Sequence, residues 1–188
     1  MTAGTRPVGV PVYVGQLVQW GTITAPVRFF DVDLPEGYSR FQFWVTGVTV
    51  SAADNVAAAL YVGGRFECDP THNDTYLTVP AVTSSSLIVM TPTQTRAPTP
   101  YRAGCLAEIY PGDLENLPVV AIPYAWASAG TLTLQAQSVV TLKNTATVPP
   151  STGPATMIRI LPKGTGNVNP PTSGETLNSG DWRLYAYN

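Results

Sequence analysis

The stretch TLTLQAQSVVTL, residues 131–142, decides the fold class, because its polarity alternates with a period of two. Such alternation is typical of a β-strand with one face in the core and the other in water. The predicted core face carries Leu132, Leu134, Ala136, Val140 and Leu142, and the predicted polar face carries Thr131, Thr133, Gln135, Gln137 and Thr141. No stretch of about 11 residues or more shows the i, i+3, i+4, i+7 spacing of an amphipathic helix. The sequence therefore predicts an all-β fold.

A second stretch, RFQFWVTGVTV at residues 40–50, alternates in the same way. Its predicted faces are Phe41, Phe43 and Val45 on one side and Gln42, Trp44 and Thr46 on the other. Gly47 is predicted to be a bulge at which the alternation slips. Further strands are predicted at Val27–Val32, Val56–Val62, Ser86–Met90, Ala107–Tyr110, Val119–Pro123, Thr156–Leu161 and Trp182–Tyr187, which makes about nine in all.

Turn-forming residues separate these strands, as at Glu36–Gly37 and Gly63–Gly64. The chain has 18 prolines, which we expect in loops, arms and edge strands because proline cannot complete the hydrogen bonds of a central strand. Thr91–Pro100 and Thr147–Pro154 are polar and Pro-rich, which indicates long extended loops. Short strands with such connections predict an antiparallel two-sheet sandwich that is jelly-roll-like.

The chain of 188 residues fits one domain. We predict an extended N-terminal arm at residues 1–21 and a single β-sandwich domain at residues 22–188. The arm is either disordered or laid across the domain or a neighbouring subunit. The second alternative is preferred because the arm has more apolar residues than disordered tails usually contain. These are Val8, Val10, Val12, Tyr13, Val14, Leu17 and Trp20.

Charged residues make up 12% of the chain and the formal net charge is −2. Without a run of lysine or arginine, the basic footprint of a nucleic-acid-binding protein is missing. No segment reaches the roughly 20 apolar residues of a membrane helix, and the N-terminus lacks the apolar core of a signal peptide. We therefore expect synthesis in the cytoplasm, with no nucleic-acid or membrane partner. A surface rich in uncharged polar groups favours an assembly subunit, because such groups are cheaper to desolvate than ions.

One cluster of potential metal ligands occurs in the sequence, in a loop that contains Glu67, Cys68, Asp69, His72 and Asp74. Its spacing matches no calcium loop or zinc pattern, and its residue types are common in turns. No metal is therefore predicted. Cys68 and Cys105 are either two reduced thiols or partners in a disulfide, within the chain or between subunits, and the sequence leaves both alternatives open.

Catalytic patterns are equally sparse. A Ser/His/acid triad would have to use the single histidine, His72, but the sequence contains no nucleophile elbow of the G-x-S-x-G type. Paired carboxylates could be drawn from Asp31, Asp33, Glu36, Asp54, Glu108, Asp113 and Glu115, but the pairing depends on distances. The sequence predicts no enzyme, no cofactor, and no catalytic, cofactor-binding or metal-binding residue. A sugar-stacking platform is one interpretation of the aromatic residues, and the core or a subunit interface is the other. They are Trp20, Trp44, Tyr124, Trp126, Trp182, Tyr185 and Tyr187.

Three segments together carry a resemblance: LPEGYSRFQFWVTGVTVSAADNVAAALYVGGRF at 34–66, ATMIRILPKGTGNVNPP at 155–171 and LNSGDWRLYAYN at 177–188. They resemble a domain of tailed-bacteriophage virion proteins. The matching elements are Gly37–Tyr38, Gly47–Val48 with Asp54, Ala57–Val62, Gly63–Gly64 with Phe66, Ile158–Pro162, Gly166–Asn167, and Ser179–Gly180 with Leu184–Tyr185. The chain departs from the pattern at Val62, where an acid is expected, and at Asn169–Asn178, which looks like an insertion.

The resemblance implies a non-enzymatic structural protein located in the virion and made in the host cytoplasm. The short chain favours a capsid decoration subunit that clamps neighbouring capsid proteins, with a homotrimer as the expected homo-oligomer. One alternative is a tail or tail-fibre receptor-binding protein whose loops Thr91–Pro100 and Asn167–Ser179 contact host glycan. A carbohydrate-binding module or sandwich-fold hydrolase is the alternative from another class.

Overall fold

The computed structural model describes residues 15–52, 54–66, 75–79, 83–85, 87–91, 102–112, 119–128, 132–135, 138–143, 153–165, 171 and 174–188. These residues form fourteen β-strands and one 3-10 turn at Lys163–Thr165. The strands are β1 Gln16–Ile23, β2 Phe30–Asp33, β3 Arg40–Val50, β4 Val56–Val62, β5 Arg65–Phe66, β6 Thr75–Val79, β7 Thr83–Ser85, β8 Ile88–Val89, β9 Arg102–Tyr110, β10 Val119–Ser128, β11 Leu132–Gln135, β12 Ser138–Lys143, β13 Ala155–Pro162 and β14 Leu177–Tyr187.

The strands form two antiparallel sheets, which confirms the predicted all-β sandwich. The large sheet runs in the order β1-β14-β3-β9-β10-β12-β6-β7, with β11 also paired to β10. The small sheet runs in the order β2-β13-β4-β5, with β8 also paired to β4. Inner side chains of both sheets join one hydrophobic cluster, as expected for face-to-face packing. Its fully buried large members include Phe41, Phe43, Ile109, Ile122, Ile158 and Ile160.

Strand β3 has the bounds and the faces predicted from its sequence. Phe41, Phe43 and Val45 have no exposed surface, whereas Trp44 and Thr46 are exposed. The predicted bulge at Gly47 is confirmed, because the pairing of β3 with β9 shifts register between Val45 and Val48. Gly47 has a φ of 67°, a left-handed conformation that glycine adopts without steric cost. Beyond the bulge Val48 and Thr49 are both buried, so the alternation slips there.

The predicted strand at 131–142 corresponds to β11 and β12. Both pair with β10 in one register, from Ser128 opposite Leu132 to Val119 opposite Thr141. The side chains of these two strands lie outside the described residues, so the predicted division of their faces remains a prediction. Strands β9 and β14 begin earlier than predicted, at Arg102 and Leu177.

Two further observations differ from the sequence interpretation. The boundary predicted at residue 21 lies inside β1, which pairs with β14 along the edge of the large sheet; residues 1–14 lie outside the described residues. Pro123 lies within β10, which pairs with β9 on one side and with β11 and β12 on the other. The expectation that every proline avoids central strands is therefore wrong. The β9–β10 pairing shifts register between Ala121 and Tyr124, and this bulge accommodates a residue without an amide hydrogen.

The outer face of the small sheet carries a second hydrophobic cluster that includes Ala57, Ala59, Phe66, Leu87 and Leu161. Arg159 of β13 lies beside this cluster and only 6% of it is exposed. Strand β4 is consequently buried along most of its length on both faces. This explains why its sequence, VAAALYV, is a continuous apolar run without alternation.

Candidate docking surface

The outer face of the large sheet carries a row of large side chains that crosses five strands. Residues directly opposite each other on neighbouring antiparallel strands point to the same face. The register places Trp20 of β1 opposite Arg183 of β14, and Arg183 opposite Trp44 of β3. It also places Trp44 opposite Leu106 of β9, and Leu106 opposite Tyr124 of β10. We call these five residues the aromatic row.

Three aromatic side chains of the row are unusually open to solvent. Trp20 is 70% exposed, Trp44 is 42% exposed and Tyr124 is 68% exposed. Each is two strands from the next, which corresponds to about 10 Å between their backbones and about 19 Å along the row. Leu17, one position along the same face of β1, is 42% exposed and widens the apolar surface at this edge.

Polar groups flank the row on its β14 side. Arg183 is exposed between the two indoles and forms no ion pair with a described carboxylate. Asp181 accepts a hydrogen bond of 2.7 Å from the Thr22 hydroxyl. A groove of about 330 Å³ opens beside Trp44, lined by Thr46, Asp181, Trp182, Arg183 and Tyr185. The row and its flank therefore combine exposed aromatic faces with the guanidinium of Arg183, which forms no ion pair among the described residues, and the carboxylate of Asp181.

A glycine lets another tryptophan lie against this face. Gly104 of β9 pairs with Trp126 of β10, and a β-carbon added at Gly104 would lie 2.8 Å from the Trp126 indole and 2.7 Å from the Val45 carbonyl oxygen. Close packing requires glycine here, because the atoms of Val45 and Trp126 leave no room for a methyl group. Trp126 is partly buried in consequence and continues the aromatic surface next to Tyr124.

The predicted aromatic residues therefore divide between two roles. Trp20, Trp44 and Tyr124 belong to the exposed face, and Tyr185 lines the groove beside it. Trp182 instead points inward, where its ring stacks on Phe30 at 5.6 Å between centroids. The alternation of β14 accounts for this difference, since residues 182 and 183 lie on opposite faces.

A larger cavity of about 720 Å³ lies at one end of the sandwich. Its walls are the turn Leu34–Ser39, the end of β9 at Tyr110–Gly112, and the start of β13 at Pro154–Thr156. The hydroxyl of Tyr110 donates to Oε2 of Glu108 at 3.1 Å. Glu36 is the one acidic residue among the described residues that line this cavity, so they offer no carboxylate pair there.

The acidic residues considered for catalysis are dispersed. Asp31 pairs with Arg159, and Glu108 contacts Arg40 at 3.7 Å. Asp33 and Glu36 are exposed, and Asp113 and Glu115 lie outside the described residues. Asp31 and Asp33 lie two positions apart on the exposed face of β2, whereas Glu108 lies on β9 of the other sheet. Asp54 instead meets Glu175, a residue that the sequence analysis did not consider.

The loop of potential metal ligands, residues 67–74, for which no metal was predicted, lies outside the described residues. Among the residues that are described, no group of three or more histidine, cysteine, aspartate and glutamate side chains could hold a metal ion.

Cys105 is a free, buried thiol on the inner face of β9, whereas Cys68 lies outside the described residues. Burial raises the pKa of the Cys105 thiol to about 12. In a Cys68→Ser variant, we expect Cys105 to resist an aromatic disulfide reagent in the native protein and to react fully after unfolding. Reaction of the native variant at the rate of the unfolded chain would contradict this burial.

In the described part of the chain, no helix is long and apolar enough to cross a membrane. No family model, curated protein or solved structure matches this chain.

Proposed function

We propose that this protein is a non-enzymatic structural subunit of a tailed-bacteriophage virion, and that it decorates and stabilises the capsid. The observation that carries the proposal is the aromatic row on the outer face of the large sheet. Several large aromatic side chains exposed on one face are unusual in a monomeric protein, and such faces usually mark interaction sites. The resemblance of residues 34–66, 155–171 and 177–188 to phage virion domains favours a virion as the assembly in which this surface is used.

The composition of the row favours a protein partner. Tryptophan, tyrosine and arginine are the residue types that most often anchor protein interfaces, and all three occur within this one row. Strand β1 adds to this surface, because its sequence QLVQWGTI contains no charge and no proline. Charged or proline-bearing edge strands resist pairing, so the composition of β1, the last strand at this edge among the described residues, suits contact with a neighbour.

In the proposed assembly the sandwich is jelly-roll-like, with Pro-rich loops and an N-terminal arm that reaches a neighbouring subunit. The subunits form a homo-oligomer, with a trimer as the specific expectation. Each bridges adjacent capsid proteins, so that the outward pressure on the shell must break additional contacts. Symmetry multiplies a modest contact across the shell, which lets each single interface remain small. The partners are virion proteins, without nucleic acid or membrane.

The row gives a direct mutational prediction. Trp20→Ala and Tyr124→Ala should each weaken binding to expanded capsids of the parent phage by roughly 30-fold, because losing an interface anchor costs about 2 kcal/mol. Lys163→Ala, which removes an exposed side chain outside the row, should bind like the unchanged protein. Co-sedimentation with capsids measures the affinity, and electron cryomicroscopy locates the subunit.

Unchanged capsid binding by both row variants would reject the row as the docking surface. Density at the tail alone, or on no part of the particle, would reject the decoration role. Circular dichroism of each variant ensures that the comparison is between folded proteins.

A second candidate is a tail or tail-fibre protein that contacts host glycan, or a carbohydrate-binding module with the same chemistry. The groove beside Trp44 favours it, because an aromatic ring with a neighbouring carboxylate and guanidinium can stack on a sugar and hydrogen-bond its hydroxyls. A glycan array with the unchanged protein and Trp44→Ala tests this candidate. Specific binding that Trp44→Ala abolishes, together with no capsid binding, would establish it in place of decoration.

A further inference from the structure

Three segments that are distant in sequence meet where β13 is connected to β14. They are the residues before β4, the 3-10 turn after β13, and residues 174–176 before β14. The amide of Gly164 in the 3-10 turn donates a hydrogen bond of 2.5 Å to Oδ2 of Asp54. The neighbouring amide of Lys163 donates to the carbonyl oxygen of Asn55 at 2.9 Å. The turn is therefore fixed to the start of β4 by two successive amides.

Glu175 brings a second carboxyl group to the same place. A β-carbon added at Gly164 would lie 2.6 Å from Oε2 and 3.1 Å from Oε1 of Glu175. The Glu175 carboxyl group thus occupies the space that a larger residue at 164 would need. Its side chain is hydrogen-bonded to Asp54, of which only 9% is exposed.

A hydrogen bond between two carboxyl groups requires a proton, because two carboxylates are both acceptors only. Glu175 is the carboxyl group that holds such a proton more readily than an ordinary glutamate, because burial raises its pKa above the ordinary value of 4.5, and the hydrogen bond to Asp54 and the charge of Asp54 raise the pKa further. The other charged group in these three described segments is Lys163, whose side chain is exposed. It forms no ion pair with a described carboxylate.

We infer that Asp54, Gly164 and Glu175 form a proton-dependent latch, which holds the segment before β14 against the 3-10 turn when Glu175 is protonated and loosens when it ionises. Ionisation places two negative charges at hydrogen-bonding distance and removes the shared proton. Loosening of Glu175 affects the start of β14 through the next residue, Thr176. The Ser51 amide donates to the Thr176 carbonyl oxygen and the Thr176 amide donates to the Ser51 hydroxyl, both at 2.9 Å. The latch requires no bound partner, so it can be tested on the purified chain independently of any virion role.

The sign of the pH dependence follows from the raised pKa of Glu175. A carboxyl group with a raised pKa in the folded state favours folding while protonated, and this contribution is lost as the pH rises through that pKa. Glu175→Gln keeps an amide that can donate to Asp54 but cannot ionise. The stability of the unchanged protein relative to Glu175→Gln should therefore fall as the pH rises from below the ordinary glutamate value of 4.5 through the raised pKa of Glu175. Glu36→Gln, in an exposed turn, serves as the matched control and should show no such trend.

The amide of Gly164 gives a local measurement of the same latch. Its proton resonance should shift with pH in the unchanged protein, with a midpoint above the ordinary glutamate value of 4.5. In Glu175→Gln that transition should disappear, while the Gly164 amide remains hydrogen-bonded to Asp54. A Gly164 resonance that does not titrate, or that titrates with the same midpoint in Glu175→Gln, would overturn the latch. Equal pH trends of stability for Glu175→Gln and the unchanged protein would overturn it as well.

Discussion

Replacing Phe43 with alanine should lower the free energy of unfolding by about 3–5 kcal/mol. The ring has no exposed surface and lies at the centre of β3, which pairs with β14 on one side and β9 on the other. It also contacts the inward-facing ring of Trp182, with 6.2 Å between centroids. Truncation removes this buried surface and leaves a cavity that two paired neighbouring strands cannot close by moving inward. Chemical denaturation with both proteins in the same buffer measures the difference.

Trp20→Ala is the matched control, since it removes a larger aromatic group from the outer face of the same sheet. Trp20 is 70% exposed, so its truncation should cost less than half as much as that of Phe43. A loss below about 1 kcal/mol for Phe43→Ala would show that the inner and outer faces of β3 have been assigned wrongly.

Local patterns predicted the strands whose burial is regular. Strand β3 has one buried and one exposed face, so alternation alone gave its bounds, its faces and the bulge at Gly47. Strand β4 was also predicted with its observed bounds, from a continuous apolar run ended by Gly63–Gly64. Most of strand β1 was assigned to an arm at residues 1–21, whereas in the structure it pairs with β14, with a register shift between Leu17 and Gln19. Val18 is the extra residue at this bulge, and it interrupts the alternation with a period of two along β1.

The aromatic row depends on register, which a local pattern does not contain. The alternation of β3 predicted that Trp44 lies on its polar face, and that placement is confirmed. Trp20, Arg183 and Tyr124 come from three other strands, and the large sheet aligns them only through its strand order. A tryptophan on the polar face of a strand was the available signal, since large aromatic groups on a solvated face are unusual in a free monomer.

Long-range pairing also explains why the acid pair and the buried arginine were not predicted. Asp54 and Glu175 are brought together by the ends of different strands, and Glu175 stands in a short polar segment without a recognisable pattern. Arg159 appears in the sequence as an isolated charge within the apolar run of β13. Its partner Asp31 is 128 positions away, so only the pairing of β13 with β2 places them opposite each other.

Arg159→Ala should destabilise the fold by about 2–3 kcal/mol, because it removes a buried guanidinium and its contacts but leaves Asp31, whose side chain is 30% exposed, accessible to water. Nε and one terminal nitrogen of Arg159 donate to the two oxygens of Asp31, at 2.7 and 2.8 Å. The guanidinium carbon lies 3.9 Å from the ring centre of Phe29 and 4.1 Å from that of Phe66. The substitution therefore removes a bidentate pair, two cation–π contacts and the aliphatic packing of the side chain.

Two further variants separate these contributions. Arg159→Met retains much of the packing without the charge, so a much smaller loss than for alanine would attribute the stability to packing. Arg159→Lys keeps the charge but cannot offer a planar fork to Asp31, and we expect it to remain clearly destabilised. In a double-mutant cycle, Asp31→Asn and Arg159→Lys should be less than additive, because both break the same bidentate contact. Full additivity of these two substitutions would contradict a direct pairing of Asp31 with Arg159. The contacts with the two phenylalanine rings would then be the main interactions that stabilise the Arg159 side chain.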